Sequence, residues 1–131
     1  MNEKEILEYN KRCALFLGAI YSKQAEAWGF GNAKNIGSKM FHGVMYHNVV
    51  QAERFEKELK FHSDWNWIMD VVDDIEKLGE TDKTYGTLVD ITTTYVKIGK
   101  VLIDLKLIPI TKKEAVVEAI NQFLIWYEQN K

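Results

Sequence analysis

A chain of 131 residues, 47% apolar and 27% charged, is long enough to bury a real core in one domain and too hydrophobic to be a disordered chain. Its single cysteine, Cys13, excludes an intramolecular disulfide and with it a secreted disulfide scaffold. A net charge of −2 gives no general attraction to nucleic acid or anionic lipid, and no apolar run approaches the length of a membrane span; with no export signal, the expectation is a cytoplasmic protein with neither partner.

Ile6, Tyr9, Cys13, Leu17 and Ile20 recur at three- and four-residue steps, which predicts an amphipathic helix from about Glu3 to Tyr21. Leu15 falls off that stripe. Between about 25 and 60 the period is lost among Gly29, Gly31, Gly37 and Gly43, so an irregular excursion is expected, with a short strand within Met40 to Val50 and a helical turn or two within Gln51 to Lys60. The second helix starts at Ser63 or Asp64, either of which can cap it, and runs to Leu78 before Gly79. Trp65, Ile68, Met69, Val71, Val72, Ile75 and Leu78 form its core stripe, with Trp67 at the margin and Asp70, Asp73, Asp74 and Lys77 on an acidic ridge.

Thr87 to Ile108 reads as an antiparallel hairpin, rich in Thr, Val, Ile and Tyr. Gly99-Lys100 offers a two-residue turn, but that register sends Tyr95 and Ile91 away from the face of Ile103. A three-residue loop pairing Tyr95 with Ile103 and Ile91 with Leu107 suits the apolar faces better and is the expectation. Beyond Pro109, Thr111-Lys112-Lys113-Glu114 has the form of a capping box and opens a third helix. Ala115, Val116, Ala119, Ile120, Phe123, Trp126 and Tyr127 make its apolar arc, and Ile125 stands among the polar residues as a candidate exposed contact.

The residues that carry chemistry do not assemble into a known catalytic pattern. His42 and His47 are five apart, a spacing that suits neither one helix face nor one strand face, and no ligand set completes a metal site. His62-Ser63-Asp64 has the letters of a hydrolytic triad, but consecutive side chains cannot form a nucleophile–base–orienter chain. His62 beside Asp64 would have a raised pKa. Cys13, on an apolar stripe, reads as a small hydrophobe rather than a reactive thiolate. Gly29-Phe30-Gly31 lacks the rest of a dinucleotide fingerprint, so no cofactor is expected.

Three segments together resemble small uncharacterised proteins of Bacteroidetes-type phages and prophages: Cys13-Ala14-Leu15-Phe16-Leu17-Gly18, the block from Phe61 to Leu78 containing His62-Ser63-Asp64-Trp65-Asn66-Trp67-Ile68-Met69, and Thr111 to Val117 leading to Phe123-Leu124-Ile125-Trp126-Tyr127. In such proteins a proline follows the methionine of the central block, where this chain has Asp70. The resemblance covers about half the chain. It implies a context, a phage protein working in the cytosol of its host, and no activity.

The sequence reading is therefore a single α+β domain over residues 1–131, three helices on a small antiparallel sheet centred on a hairpin. The expected role is a non-enzymatic accessory protein that binds a host or defence protein, with Trp28, His62, Trp67, Asp70 and Ile125 as candidate contact residues. Free sheet edges also favour a homodimer. Capture of a small ligand is the alternative, and a small hydrolytic enzyme using His62 with nearby carboxylates a more distant one; the latter requires His42 or His47 to meet His62 or Asp64 in a pocket.

Overall fold

The computed structural model describes residues 1–23, 27–30, 43–46, 49–55, 58–81 and 89–130. The elements run α1 (Glu3–Phe16), β1 (Ile20–Ser22), β2 (Ala27–Phe30), β3 (Gly43–Tyr46), β4 (Val49–Phe55), α2 (Trp65–Thr81), β5 (Val89–Ile91), β6 (Tyr95–Ile98), β7 (Val101–Asp104) and α3 (Lys112–Asn130). Helices and two small antiparallel sheets give the expected α+β class. Contacts divide the chain into two compact units, Met1–Trp67 and Ile68–Lys131. Among the described residues no helix is long and apolar enough to cross a membrane.

In the first unit, α1 begins with a reciprocal cap: the Glu5 N–H donates to Asn2 Oδ1 at 2.9 Å and the Asn2 N–H to Glu5 Oε1 at 3.5 Å. It ends five residues earlier than the apolar period alone predicts. Gly18 takes a φ of 84°, and the N–H groups of Gly18 and Ala19 return to the carbonyls of Leu15 and Ala14 at 3.0 Å each, the pattern of a left-handed glycine stop. Ile20 and Tyr21 are thereby released into β1.

The first sheet has the order β1-β2-β4-β3, antiparallel throughout, with Tyr21 opposite Trp28, Trp28 opposite Arg54 and Val44 opposite Gln51. The stretch expected to be irregular therefore holds three strands. β3 falls inside the strand foreseen between Met40 and Val50, whereas the helical turn expected from Gln51 is strand β4 as far as Phe55. β4 is paired on both sides, so two neighbouring backbones fix its conformation where its own apolar alternation is weak. Tyr9, Cys13, Ala14, Trp28, Leu59, Phe61 and Trp67 are buried in this unit, with Trp67 edge-on to Phe61 at a centroid distance of 4.9 Å.

Helix α2 is capped by Asp64, whose Oδ1 accepts the Asn66 N–H at 2.9 Å. It passes through Gly79, which costs about 1 kcal/mol in a helix but does not end one without a left-handed turn. Trp67, Ile68, Val71, Val72 and Ile75 are buried and share one arc at about 100° per residue. Trp65 and Met69, both assigned to the core from the sequence, lie outside that arc and are 40% and 38% exposed. Trp67, placed at the margin from the sequence, is 2% exposed and belongs to the buried arc.

The second sheet is the meander β5-β6-β7. Ile98 pairs with Val101 and Val96 with Ile103, so the β6–β7 connection is the two-residue turn Gly99-Lys100 rather than the three-residue loop. The reason is a break upstream. Thr92 ends β5: its Oγ1 accepts the N–H groups of Thr94 and Tyr95 at 3.2 and 3.0 Å, and its N–H donates to the Tyr95 carbonyl at 2.9 Å. Ile91 and Tyr95 consequently sit on different strands and need not share a face. Ile91 pairs with Val96 on the inward row, while Tyr95 turns outward with Lys97 and Leu102. Helix α3 packs on β6 and β7 and buries Val116, Ile120, Phe123 and Leu124. Its capping box forms as expected: Thr111 Oγ1 accepts the Glu114 N–H at 3.1 Å, and Glu114 Oε1 accepts the Thr111 N–H at 3.2 Å.

Candidate functional site

In the second unit the β6–β7 turn and the later half of α3 enclose a recess of about 340 Å³, lined by Gly99, Lys100, Val101, Leu102, Gln122, Phe123 and Trp126. Its shape depends on Gly99, which has a φ of 59° and presents no side chain where a Cβ would lie 3.1 Å from the Phe123 ring. Phe123 is held from behind by Tyr127, stacked at 6.1 Å, and from the side by Trp126 at 5.9 Å. Gln122 stands at the rim with its amide donating to Glu118 Oε1 at 3.0 Å. Lys100 is exposed at the mouth and makes no ion pair with the described residues.

This arrangement suits an apolar or aromatic group of limited size, flanked by one cation able to meet a carboxylate. The lining has no carboxylate, imidazole or thiol, and its titratable side chain is that of Lys100. A second, shallower groove of about 370 Å³ crosses the outward face of the same sheet, lined by Thr94, Tyr95, Lys97, Leu102, Asp104 and Lys106. There the Tyr95 hydroxyl donates to Asp90 Oδ2 at 2.7 Å, a bond to the neighbouring carboxylate that raises the phenol pKa.

The first unit contains a different polar cluster. The Asn10 amide, on the buried face of α1, donates one N–H to the Leu59 carbonyl at 3.2 Å and the other to His62 Nδ1 at 3.1 Å. That donor assigns the His62 proton to Nε2, and with partial burial it favours the neutral ring: His62 is held below its ordinary pKa by desolvation. The raised value expected from a pairing with Asp64 is not what the geometry yields, because Asp64 is turned to the α2 N-terminus as its cap. Among the described residues, Asn10 Oδ1 and Trp28 Nε1 are buried without a hydrogen-bond partner. Burial pushes the Cys13 thiol far up, which leaves it protonated and unreactive.

None of the five sequence candidates is fully exposed. Trp28 lies in β2, 4% exposed, with its ring 5.1 Å from that of Tyr21, and Trp67 is 2% exposed; both are core residues rather than surface contacts. Ile125 is half-buried on α3, short of the exposure expected of it, and Asp70 is half-buried in mid-helix. His62 has Asn10 as its neighbour, and His42 and His47 lie outside the described residues, so their meeting with His62 does too. Among the described residues no group of three or more His, Cys, Asp and Glu side chains could hold a metal ion. The recess went unforeseen because Lys100 and Gln122 carry no motif; the one signal was the Phe123-Trp126-Tyr127 cluster, which reads equally well as core.

No protein-family model matches the chain, and neither does any curated protein or solved structure.

Proposed function

We propose that this chain is a non-catalytic binding module, a small phage- or prophage-type accessory protein that engages a host or defence protein through the recess beside the β6–β7 turn. The observation that carries the reading is the recess itself, with Phe123 and Trp126 on one wall and Val101 and Leu102 on the other. Leu102, Leu107 and Ile108, exposed by 62%, 81% and 43%, add apolar surface in the same unit, and such residues beside a preformed pocket supply the anchor and surround that protein interfaces use. Lys100 selects a partner segment that carries a carboxylate next to its apolar anchor.

Photo-crosslinking tests it. A benzoylphenylalanine introduced at Gln122 is expected to give a discrete adduct with a heterologous protein in a Bacteroidetes-type host, absent when the group is placed at Glu128 and lost on Trp126→Ala. Equal labelling from positions 122 and 128 would overturn the assignment. The small-ligand alternative draws on the same volume, which falls within the range of ligand pockets of about 300–1,000 Å³. A thermal shift with a metabolite from a panel, suppressed by Trp126→Ala, would favour it over protein binding.

A further inference from the structure

β7 is an edge strand of its sheet, paired only with β6 among the described residues. Its free side can be read from the ladder. The Leu105 N–H donates to the Thr94 carbonyl at 2.9 Å, and Val96 pairs with Ile103 and Ile98 with Val101. Hydrogen-bonded and non-hydrogen-bonded pairs alternate in an antiparallel ladder, so 94/105, 96/103 and 98/101 are the bonded pairs and the backbone N–H and C=O of Leu102 point off the edge. The Leu102 side chain is 62% exposed there.

The sequence across this edge, Lys100-Val101-Leu102-Ile103-Asp104, is self-complementary about its centre. One step from Leu102 on either side is a β-branched apolar residue of the inward row. Two steps away are a cation and an anion. We propose that β7 pairs antiparallel with β7 of a second copy about a two-fold axis at Leu102, joining two three-stranded sheets into one of six.

In that register Leu102 exchanges both of its free backbone hydrogen bonds with the partner's Leu102. Val101 meets the partner's Ile103 twice, extending the apolar row on the α3 side, and Lys100 meets the partner's Asp104 twice. A shift by two residues in one direction sets Leu102 against the partner's Asp104 and Lys100 against the partner's Lys106, and in the other sets Leu102 against the partner's Lys100, so one register opposes like charges and the other loses both ion pairs. Only a few residues pair, so a concentration-dependent dimer is the expected behaviour. Lys100 and Leu102 also line the recess, but the readout, the mass of the assembly, is independent of any heterologous adduct.

Sedimentation velocity on the full chain over a concentration series, with Lys100→Glu, Asp104→Lys, the double exchange and Leu102→Cys, tests it. A dimer is expected for the wild type. Each single charge reversal should weaken it at least tenfold, while the double exchange, or an equimolar mixture of the two single variants, restores it. Lys100 is exposed on a turn, so its reversal acts without loss of fold.

Directly opposed residues in a hydrogen-bonded antiparallel pair have Cα atoms about 5.5 Å apart, within disulfide reach, so Leu102→Cys should oxidise to a covalent dimer while Lys106→Cys does not. Cys13 is buried and does not compete. A wild type monomeric at every concentration, or a dimer indifferent to the Lys100 and Asp104 reversals, would overturn the proposal. So would oxidation at position 106 as readily as at 102.

Discussion

Alanine at Gly99 should destabilise the protein by about twice as much as alanine at Gly18, although both glycines occupy the left-handed region. Gly18, at φ 84°, has nothing within 4 Å of a built Cβ, so the substitution there costs only the conformational term, roughly 1–2 kcal/mol. Gly99, at φ 59°, pays the same term and also drives the new methyl to 3.1 and 3.3 Å from two carbons of the Phe123 ring. Phe123 is 1% exposed and clamped by Trp126 and Tyr127, so it cannot swing aside, and overpacking of that kind adds about 1–3 kcal/mol.

The totals are roughly 1–2 kcal/mol at Gly18 and about 2–5 kcal/mol at Gly99. Urea unfolding followed by circular dichroism, with amide exchange on β6 and β7 as the local reporter, measures both. The decisive comparison is Gly99→Ala in a Phe123→Leu background, where the excess over Gly18 should shrink because the obstructing ring is gone. A Gly99 penalty no larger than that at Gly18, or one unchanged by Phe123→Leu, refutes the reasoning.

Three further outcomes follow from the geometry. His62 is held below its ordinary pKa of 6.5 by burial, so as pH falls the unfolded chain takes up the proton first; stability should decline from about pH 6.5 down to the folded pKa, and His62→Gln should remove that part of the slope. A His62 imidazole titration midpoint above 6.5 by NMR would contradict it. Trp67→Ala should cost about 3–5 kcal/mol and Trp65→Ala under about 1 kcal/mol, and equal losses in denaturant melts would mean that the buried arc of α2 is misplaced. Thr111→Ala should lower stability by about 1 kcal/mol through loss of the α3 cap, seen as faster exchange of the Glu114 and Ala115 amides; protection equal to wild type would show the cap to be idle.

Local chemistry was legible where it was self-contained. Thr111 with Glu114, and Asp64 before Trp65, could be read as caps because a cap needs only a few neighbouring residues. The existence of three helices followed from periodicity. Most of the sheet of the first unit was not legible, because β4 owes its conformation to strands on both sides and one of them, β2, is separated from it by a long stretch of chain.

The β6–β7 register failed for a narrower reason. Thr92 to Tyr95 was read as continuous strand, so the face of Ile91 was carried across a turn onto Tyr95. The tryptophans of α2 were misassigned because a wide apolar stripe does not reveal its own centre. Val71 and Ile75 decide that Trp67, rather than Trp65, points inward. The recess belongs to the same class of missing information, since it exists only once residues 99–102 meet residues 122–126.

The meander and α3 also differ in when they leave the ribosome. β5, β6 and β7 are joined by tight turns and can pair as soon as they emerge, yet the helix that covers Val96, Ile98 and Ile103 is synthesised after them. Until α3 arrives, the nascent chain displays a formed sheet with a bare apolar row. The speed with which residues 112–130 follow and dock therefore governs how much of each newly made chain escapes aggregation, and a translational pause placed between β7 and α3 would depress soluble yield without altering a single residue.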